Sequence, residues 1–100
     1  PPMPLTEKQK KHLRGLGHAL NPVVMVGQEG YSEAVAKELE SALKAHELVK
    51  VKARVGDREE RDLIFAELAG KTASELAQRI GNVGLFYRRR KEKPKIVLPD

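Results

Sequence analysis

The first apolar positions, Leu13, Leu16 and Leu20, lie three and four residues apart, a spacing that predicts a helix. Thr6-Glu7-Lys8-Gln9 supplies its start, with Thr6 as the cap and Gln9 three residues on, as in a capping box. Gly15 and Gly17 weaken the helix towards its end. Pro22 opens a new element, because the residue before a proline avoids the helical region. Val23-Val24-Met25-Val26 is short, apolar and mostly β-branched, the pattern of a buried strand. A second helical set follows, with Val35, Leu39, Ala42 or Leu43, and His46 on one face. Ser32 is placed to cap that helix, and Glu33 sits in its first turn near the positive end of the dipole. From Leu48 the period drops to two. Val49, Val51, Ala53 and Val55 alternate with Lys50, Lys52 and Arg54, which predicts a half-buried strand with a cationic second face.

Gly56-Asp57 breaks the strand, and Asp57 is placed to cap a third helix with the apolar set Leu63, Ile64, Ala66, Leu68 and Ala69 and a stop at Gly70. Thr72 to Ile80 reads locally as helix, since Thr72-x-x-Glu75 has the capping-box pattern and the alternation of Leu76, Gln78 and Ile80 is poorer. Val83, Leu85 and Tyr87 alternate as a strand, Lys91 to Pro94 forms a solvated turn, and Ile96-Val97-Leu98 adds a short edge strand closed by Pro99. Helices alternating with strands and ending in a hairpin make a small mixed-sheet α/β sandwich. A chain of 100 residues is expected to form one domain, over 5–99. Residues 1–4 are expected to be disordered or left by cloning, with Met3 as the natural start.

Charge sharpens this picture. The net charge is +5, and the surplus lies in the second half. Residues 1–50 carry seven Lys/Arg against six Asp/Glu, and residues 51–100 carry twelve against eight. Arg88 to Lys95 holds six cations and a single acid, Glu92. Such a balance favours nucleic acid, anionic lipid or an acidic partner, or serves solubility alone. No apolar stretch approaches the roughly 20 residues of a membrane span, so no membrane partner is expected. The chain has no cysteine, which removes disulfides and thiolate metal sites and suits a reducing, cytoplasmic compartment.

The candidate chemistry follows from these elements. Gly27-Gln28-Glu29-Gly30 joins a strand to a helix, where bare backbone and outward amides suit a phosphate. The same pattern also serves a simple turn that needs glycine, and Glu29 repels an anion. Gly81-Asn82-Val83-Gly84 repeats the spacing but leads into a strand, where a tight hairpin explains it. Lys50, Lys52 and Arg54 project from one sheet face, and Arg88-Arg89-Arg90-Lys91 follow Phe86 and Tyr87. Cations beside an aromatic ring suit a nucleic-acid strand. Tyr87 serves either as that ring or as a core residue, and Phe86 reads as core. Catalysis finds little support. His12, His18 and His46 share no metal-like spacing, His18 and His46 read as buried or half-buried, and Asp57, Glu59, Glu60 and Asp62 sit where acids normally open a helix. No enzyme activity, metal, cofactor or small-molecule substrate is expected.

The motifs together resemble one family. Leu5-Thr6-x-Lys8-Gln9, Leu13-Arg14, His18 and Leu20-x-Pro22 are followed by Val24-x-x-Gly27-x-x-Gly30. His46-Glu47-Leu48-Val49-Lys50-Val51-Lys52 is the most specific stretch, and Ile80-Gly81, Leu85-x-Tyr87-Arg88 and Ile96-x-Leu98-Pro99 close the pattern. This resembles the chloroplast RNA splicing and ribosome maturation (CRM) family, in its stand-alone bacterial, YhbY-like form. The resemblance implies an α-β-α-β-α-β-β sandwich with a four-stranded mixed sheet, similar to the C-terminal domain of translation initiation factor three. It implies a strand at Glu75 to Ile80 in place of the local helix, and it turns the first Gly-x-x-Gly towards RNA. It implies a non-catalytic protein that binds ribosomal RNA in precursors of the large (50S) subunit and assists their assembly. The expected RNA-contacting residues are Lys8, Lys11, Arg14, Gly27, Gln28, Gly30, Lys50, Lys52, Arg54, Tyr87, Arg88, Arg89, Arg90 and Lys91. A monomer is expected. The alternative is a protein-docking module that turns its basic faces to an acidic partner.

Overall fold

The computed structural model describes residues 4–100; the expectation for residues 1–3 lies outside them. The elements run α1 (Glu7–Gly17), β1 (Pro22–Val26), α2 (Glu33–His46), β2 (Leu48–Ala53), α3 (Arg58–Thr72), β3 (Glu75–Ile80) and β4 (Val83–Tyr87). All three helices start as their sequences require. Thr6 and Gln9 form the complete capping box, Ser32 accepts from Val35 N–H, and Asp57 accepts from Glu60 N–H.

The strands form one sheet in the order β1-β2-β4-β3. β1 runs parallel to β2, and the α2 crossover between them makes that possible. β4 is antiparallel to both β2 and β3, so the sheet is mixed. The larger core lies between the sheet and the pair α2 and α3, built on Val24, Val26, Leu39, Val51, Phe65 and Phe86. The rings of Phe65 and Phe86 meet edge to face at 5.8 Å. Gly84 makes room for them, since a Cβ there would stand 3.1–3.3 Å from Phe86, Leu76 and Phe65. The opposite face carries Leu48, Ala77, Leu85 and Tyr87, and α1 covers it through the buried Leu13.

Five expectations need correction. Thr72 to Ile80 is not a helix by local rules: the Thr72 hydroxyl donates back to Leu68 O, so it is not free to cap a new helix. Ala73 then turns the chain in the left-handed region, and Glu75–Ile80 pairs with β4 as the family pattern implies. That same turn ends α3, which passes through Gly70 to Thr72. Within α3, Phe65 is buried and Leu63 is 72 % exposed, so the core face is offset from the predicted one. Ile96-Val97-Leu98 makes no strand; Ile96 and Leu98 instead pack against the α1-side core, and Gln9 donates to Pro99 O. His18 and His46 are exposed, because each stands at the end of its helix, past the last residue that faces the sheet.

The packing of α1 on the sheet yields a paired prediction. A Cβ on Gly17 would come within 2.9 Å of Leu85 Cδ2, whereas one on Gly15 meets nothing within 4 Å. Gly15→Ala is expected to stabilise by about 0.5–1 kcal/mol through helix propensity. Gly17→Ala gains the same propensity but overpacks against Leu85 by about 1–3 kcal/mol, a net loss. Urea denaturation of the two variants checks the opposite signs.

Candidate nucleic-acid interface

The predicted site residues fall into separate zones. β1 and β2 run in the same direction, so Gly27–Gly30 lies at the sheet end where β2 finishes. Tyr87 pairs with Leu48 at the other end, and Arg88 to Lys91 leave from there. Five or six strand residues at about 3.3 Å each put the two roughly 17–20 Å apart. The two predicted contact elements therefore do not form one spot. They mark the ends of one surface.

At the first end, Gly30 N–H donates to Gly27 O across a tight turn, with Gln28 and Glu29 exposed at its tip. Gly30 has φ +79°, is buried, and lies against α3, where a Cβ would sit 3.5 Å from Ile64 Cδ1. Its glycine is therefore required by the turn itself. Gly27 is exposed and has no such backbone constraint. Arg54 N–H donates to Val26 O, which brings an exposed arginine beside this loop.

Between the ends, Lys50 and Lys52 alternate with the core residues Val49, Val51 and Ala53, so they point to the face that α1 partly covers. Leu48 precedes them on that face and is buried, so the face is cationic only beyond it. β1 lies at the sheet edge, and its Val23 and Met25 remain 54 % and 42 % exposed. Met25 is the strand neighbour of Lys52. Lys8 and Lys11 are exposed on α1, and Arg14 is half-buried.

The second end needs two revisions. Tyr87 is 5 % exposed and packs with Leu13, Leu48 and Leu85, so its ring is not available to a base. Burial pushes its phenol pKa up, and the nearby Glu47 charge adds to this. Arg88 is committed inside the protein. Its guanidinium donates to both Glu40 oxygens at 2.7 and 2.8 Å and to Thr72 O at 2.8 Å. That leaves Arg89 and Lys91 exposed and Arg90 half-buried. The Arg89–Lys91 segment lines an open groove with Leu5, Thr6 and Gln9 at the start of α1.

Charge commitments separate these cations. Among the described residues, ion pairs within 4.0 Å take up Lys10, Lys44, Arg58, Arg79 and Arg88. Lys8, Lys11, Arg14, Lys50, Lys52, Arg54, Arg89, Arg90 and Lys91 have no such pair. The acidic opening of α3 is occupied locally: Asp57 caps the helix, and Asp62 pairs with Arg79 and Arg58.

The family comparison agrees with this arrangement of elements. The model of the CRS1 / YhbY (CRM) domain matches residues 5–88, most of the chain. The chain belongs to the CRM domain family. A protein of Haemophilus influenzae named "RNA-binding protein" is 46 % identical over 95 residues, 95 % of each chain. A "Probable RNA-binding protein" of Pseudomonas aeruginosa is 44 % identical over 87 residues, which cover 87 % of this chain and 84 % of that one. The solution structure of a hypothetical protein from Staphylococcus aureus superposes with a TM-score of 0.84 at 36 % identity, covering 95 % of this chain and 99 % of that chain.

Nothing in charge or periodicity announces the partners of two acids of this CRM domain, although Glu47 lies within the most specific stretch of the family pattern. Glu40 is a charged residue on a half-exposed helix face, with nothing local to announce Arg88 as its partner 48 residues away. Glu47 is fully buried between α2 and β2. Its carboxylate accepts from the backbone N–H groups of Arg90 at 3.0 Å, Lys95 at 2.6 Å and Ile96 at 2.9 Å. Burial alone would raise its pKa, but these donors and the Arg90 charge outweigh burial and hold it below the usual carboxylate value. The Glu40 carboxyl is lowered chiefly by its hydrogen bonds to Arg88. Both groups titrate lower folded than unfolded. Their stabilisation is therefore complete above the ordinary carboxylate pKa and is lost as pH falls through the depressed values.

Proposed function

We propose that this protein is a non-catalytic RNA-binding protein that associates with ribosomal RNA in precursors of the large subunit. The observation that carries RNA binding is that nine of the cations with no internal ion pair cluster on α1, the half-open face of β2 and the loop after β4. Cations that no internal ion pair engages remain free to neutralise phosphates. The names of the relatives agree with RNA binding. Its extent of roughly 17–20 Å along the strands suits a backbone tracked over several nucleotides. Val23 and Met25 beside Lys52 supply apolar ground on which a base can rest, a role that Tyr87 cannot take from the core. Gly27 and Gln28, with Arg54 beside them, form the far end of the RNA path, and Glu29 weakens it.

This reading makes binding chiefly electrostatic. Affinity for a single-stranded oligoribonucleotide is expected to fall about tenfold to a thousandfold between 50 and 200 mM salt, as for a handful of neutralised phosphates. Filter binding across that range checks it, and a flat salt profile would sink the electrostatic account. The ribosomal assignment is tested by sedimenting tagged protein from lysate through a low-salt gradient, with and without ribonuclease. Ribonuclease-sensitive migration with large-subunit precursors is the expected result. A profile confined to the light fractions would remove the assignment.

A further inference from the structure

The chain after β4 carries its densest cations on a segment with no helix or strand of its own. Such a segment is held only by what its backbone amides find. Here three of them, from Arg90, Lys95 and Ile96, converge on one fully buried carboxylate, Glu47. Arg88 N–H adds a fourth hydrogen bond, to Glu47 O. Lys95 and Ile96 share Oε1 while Arg90 takes Oε2, so the carboxylate clips both ends of the loop at once. Between the clipped ends lie Lys91, Glu92, Lys93 and Pro94, all exposed.

Glu47 does this from an unfavourable backbone position. Its φ is +62°, a region that favours glycine, and it follows the last residue of α2, where glycine is the common choice. An acid kept in that conformation and out of water needs a strong compensating interaction, and the convergent amides supply it.

We propose that Glu47 is a positioning residue for RNA binding, its carboxylate holding the Arg89–Lys95 loop in the one arrangement that presents its cations to phosphate. This rests on the RNA-binding reading above. It also makes a prediction of opposite sign to simple electrostatics. Removing a negative charge beside a polyanion site should tighten binding if charge alone matters. Removing the clip should weaken it, because the loop must then be ordered each time RNA binds.

Glu47→Gln separates the two. A glutamine keeps the size, but it can accept at only one end, and its amide hydrogens face a backbone N–H at the other. The measurement is the affinity of the folded full chain for a mixed-sequence single-stranded oligoribonucleotide at 50 mM salt, with amide exchange followed alongside. Binding about tenfold weaker is expected, the loss of a hydrogen bond to a charged group. Faster exchange at Arg90, or at Lys95 and Ile96, is expected with it. Affinity equal to or tighter than that of the unaltered protein overturns the proposal and leaves the RNA reading standing. An unaltered protein with no affinity overturns both. Should Glu47→Gln fail to fold, Lys95→Pro is compared with Lys95→Ala, two variants of equal charge that differ in the N–H given to Glu47. Weaker binding by the proline variant supports the clip, and equal affinity overturns it.

Discussion

Replacing Arg89 and Lys91 by Glu and Arg90 by Gln, together, is expected to abolish measurable RNA binding while leaving the protein folded. These residues form the densest run of cations without an internal ion pair, and each phosphate that is no longer neutralised removes about one unit from the salt slope. The loss of three cations and the gain of two repulsive charges should together cost on the order of a hundredfold or more at low salt. Arg90 is changed to Gln because its charge helps hold the Glu47 carboxyl ionised, and a glutamate there would set two acids against each other. Surface changes of this kind shift stability by about 0.5 kcal/mol each or less. Filter binding and thermal melting of the same preparation read both quantities. Unchanged affinity would place the RNA on α1 and the open face of β2 instead.

Arg88→Met is expected to behave in the opposite way, with a large loss of stability and little loss of RNA affinity in the molecules that remain folded. The Arg88 guanidinium ties β4 to α2 through Glu40 and to the end of α3 through Thr72 O. Breaking a fully buried ion pair costs about 3–5 kcal/mol. The Arg88 and Glu40 side chains retain 23 % and 36 % exposure, so solvent screening reduces this to about 1–3 kcal/mol. For a domain of this size that is a fall in Tm of roughly 5–20 °C. Glu40→Leu combined with Arg88→Met should cost less than the sum of the single changes, since it leaves no orphaned charge. An unchanged Tm in Arg88→Met, with RNA binding lost, would return Arg88 to the interface.

The contrast between Arg88 and its neighbours shows where residue patterns stop being informative. Four consecutive cations follow Tyr87, and nothing local distinguishes the first from the rest. Only the pairing of β4 with β2 and β3 brings Arg88 over α2 and within reach of Glu40. Tyr87 is decided in the same way. Alternation assigns it to one face of β4, but α1 and the tail determine that this face is covered at Tyr87 and half-open at Lys50 and Lys52.

Local chemistry was sufficient wherever one element carried its own signal. Thr6, Ser32 and Asp57 cap their helices because an acceptor side chain three residues before a free N–H needs no distant partner. The alternation from Val49 to Ala53 placed Lys50 and Lys52 on the face opposite the main core, since side chains along a strand take opposite sides. The family pattern supplied β3 against its local helix signal. The sequence by itself therefore determined the caps, the strand faces, the cationic balance and the family. Tertiary structure alone decided that Arg88 is engaged while Arg89 and Lys91 are free, that the two ends of the basic surface lie a sheet length apart, and that a buried Glu47 holds the loop between Arg90 and Ile96. The physical reason is one of range. Caps and alternation act over a few residues, whereas the Arg88–Glu40 pair and the Glu47 acceptor join groups more than 40 residues apart, and only the packed sheet brings those together.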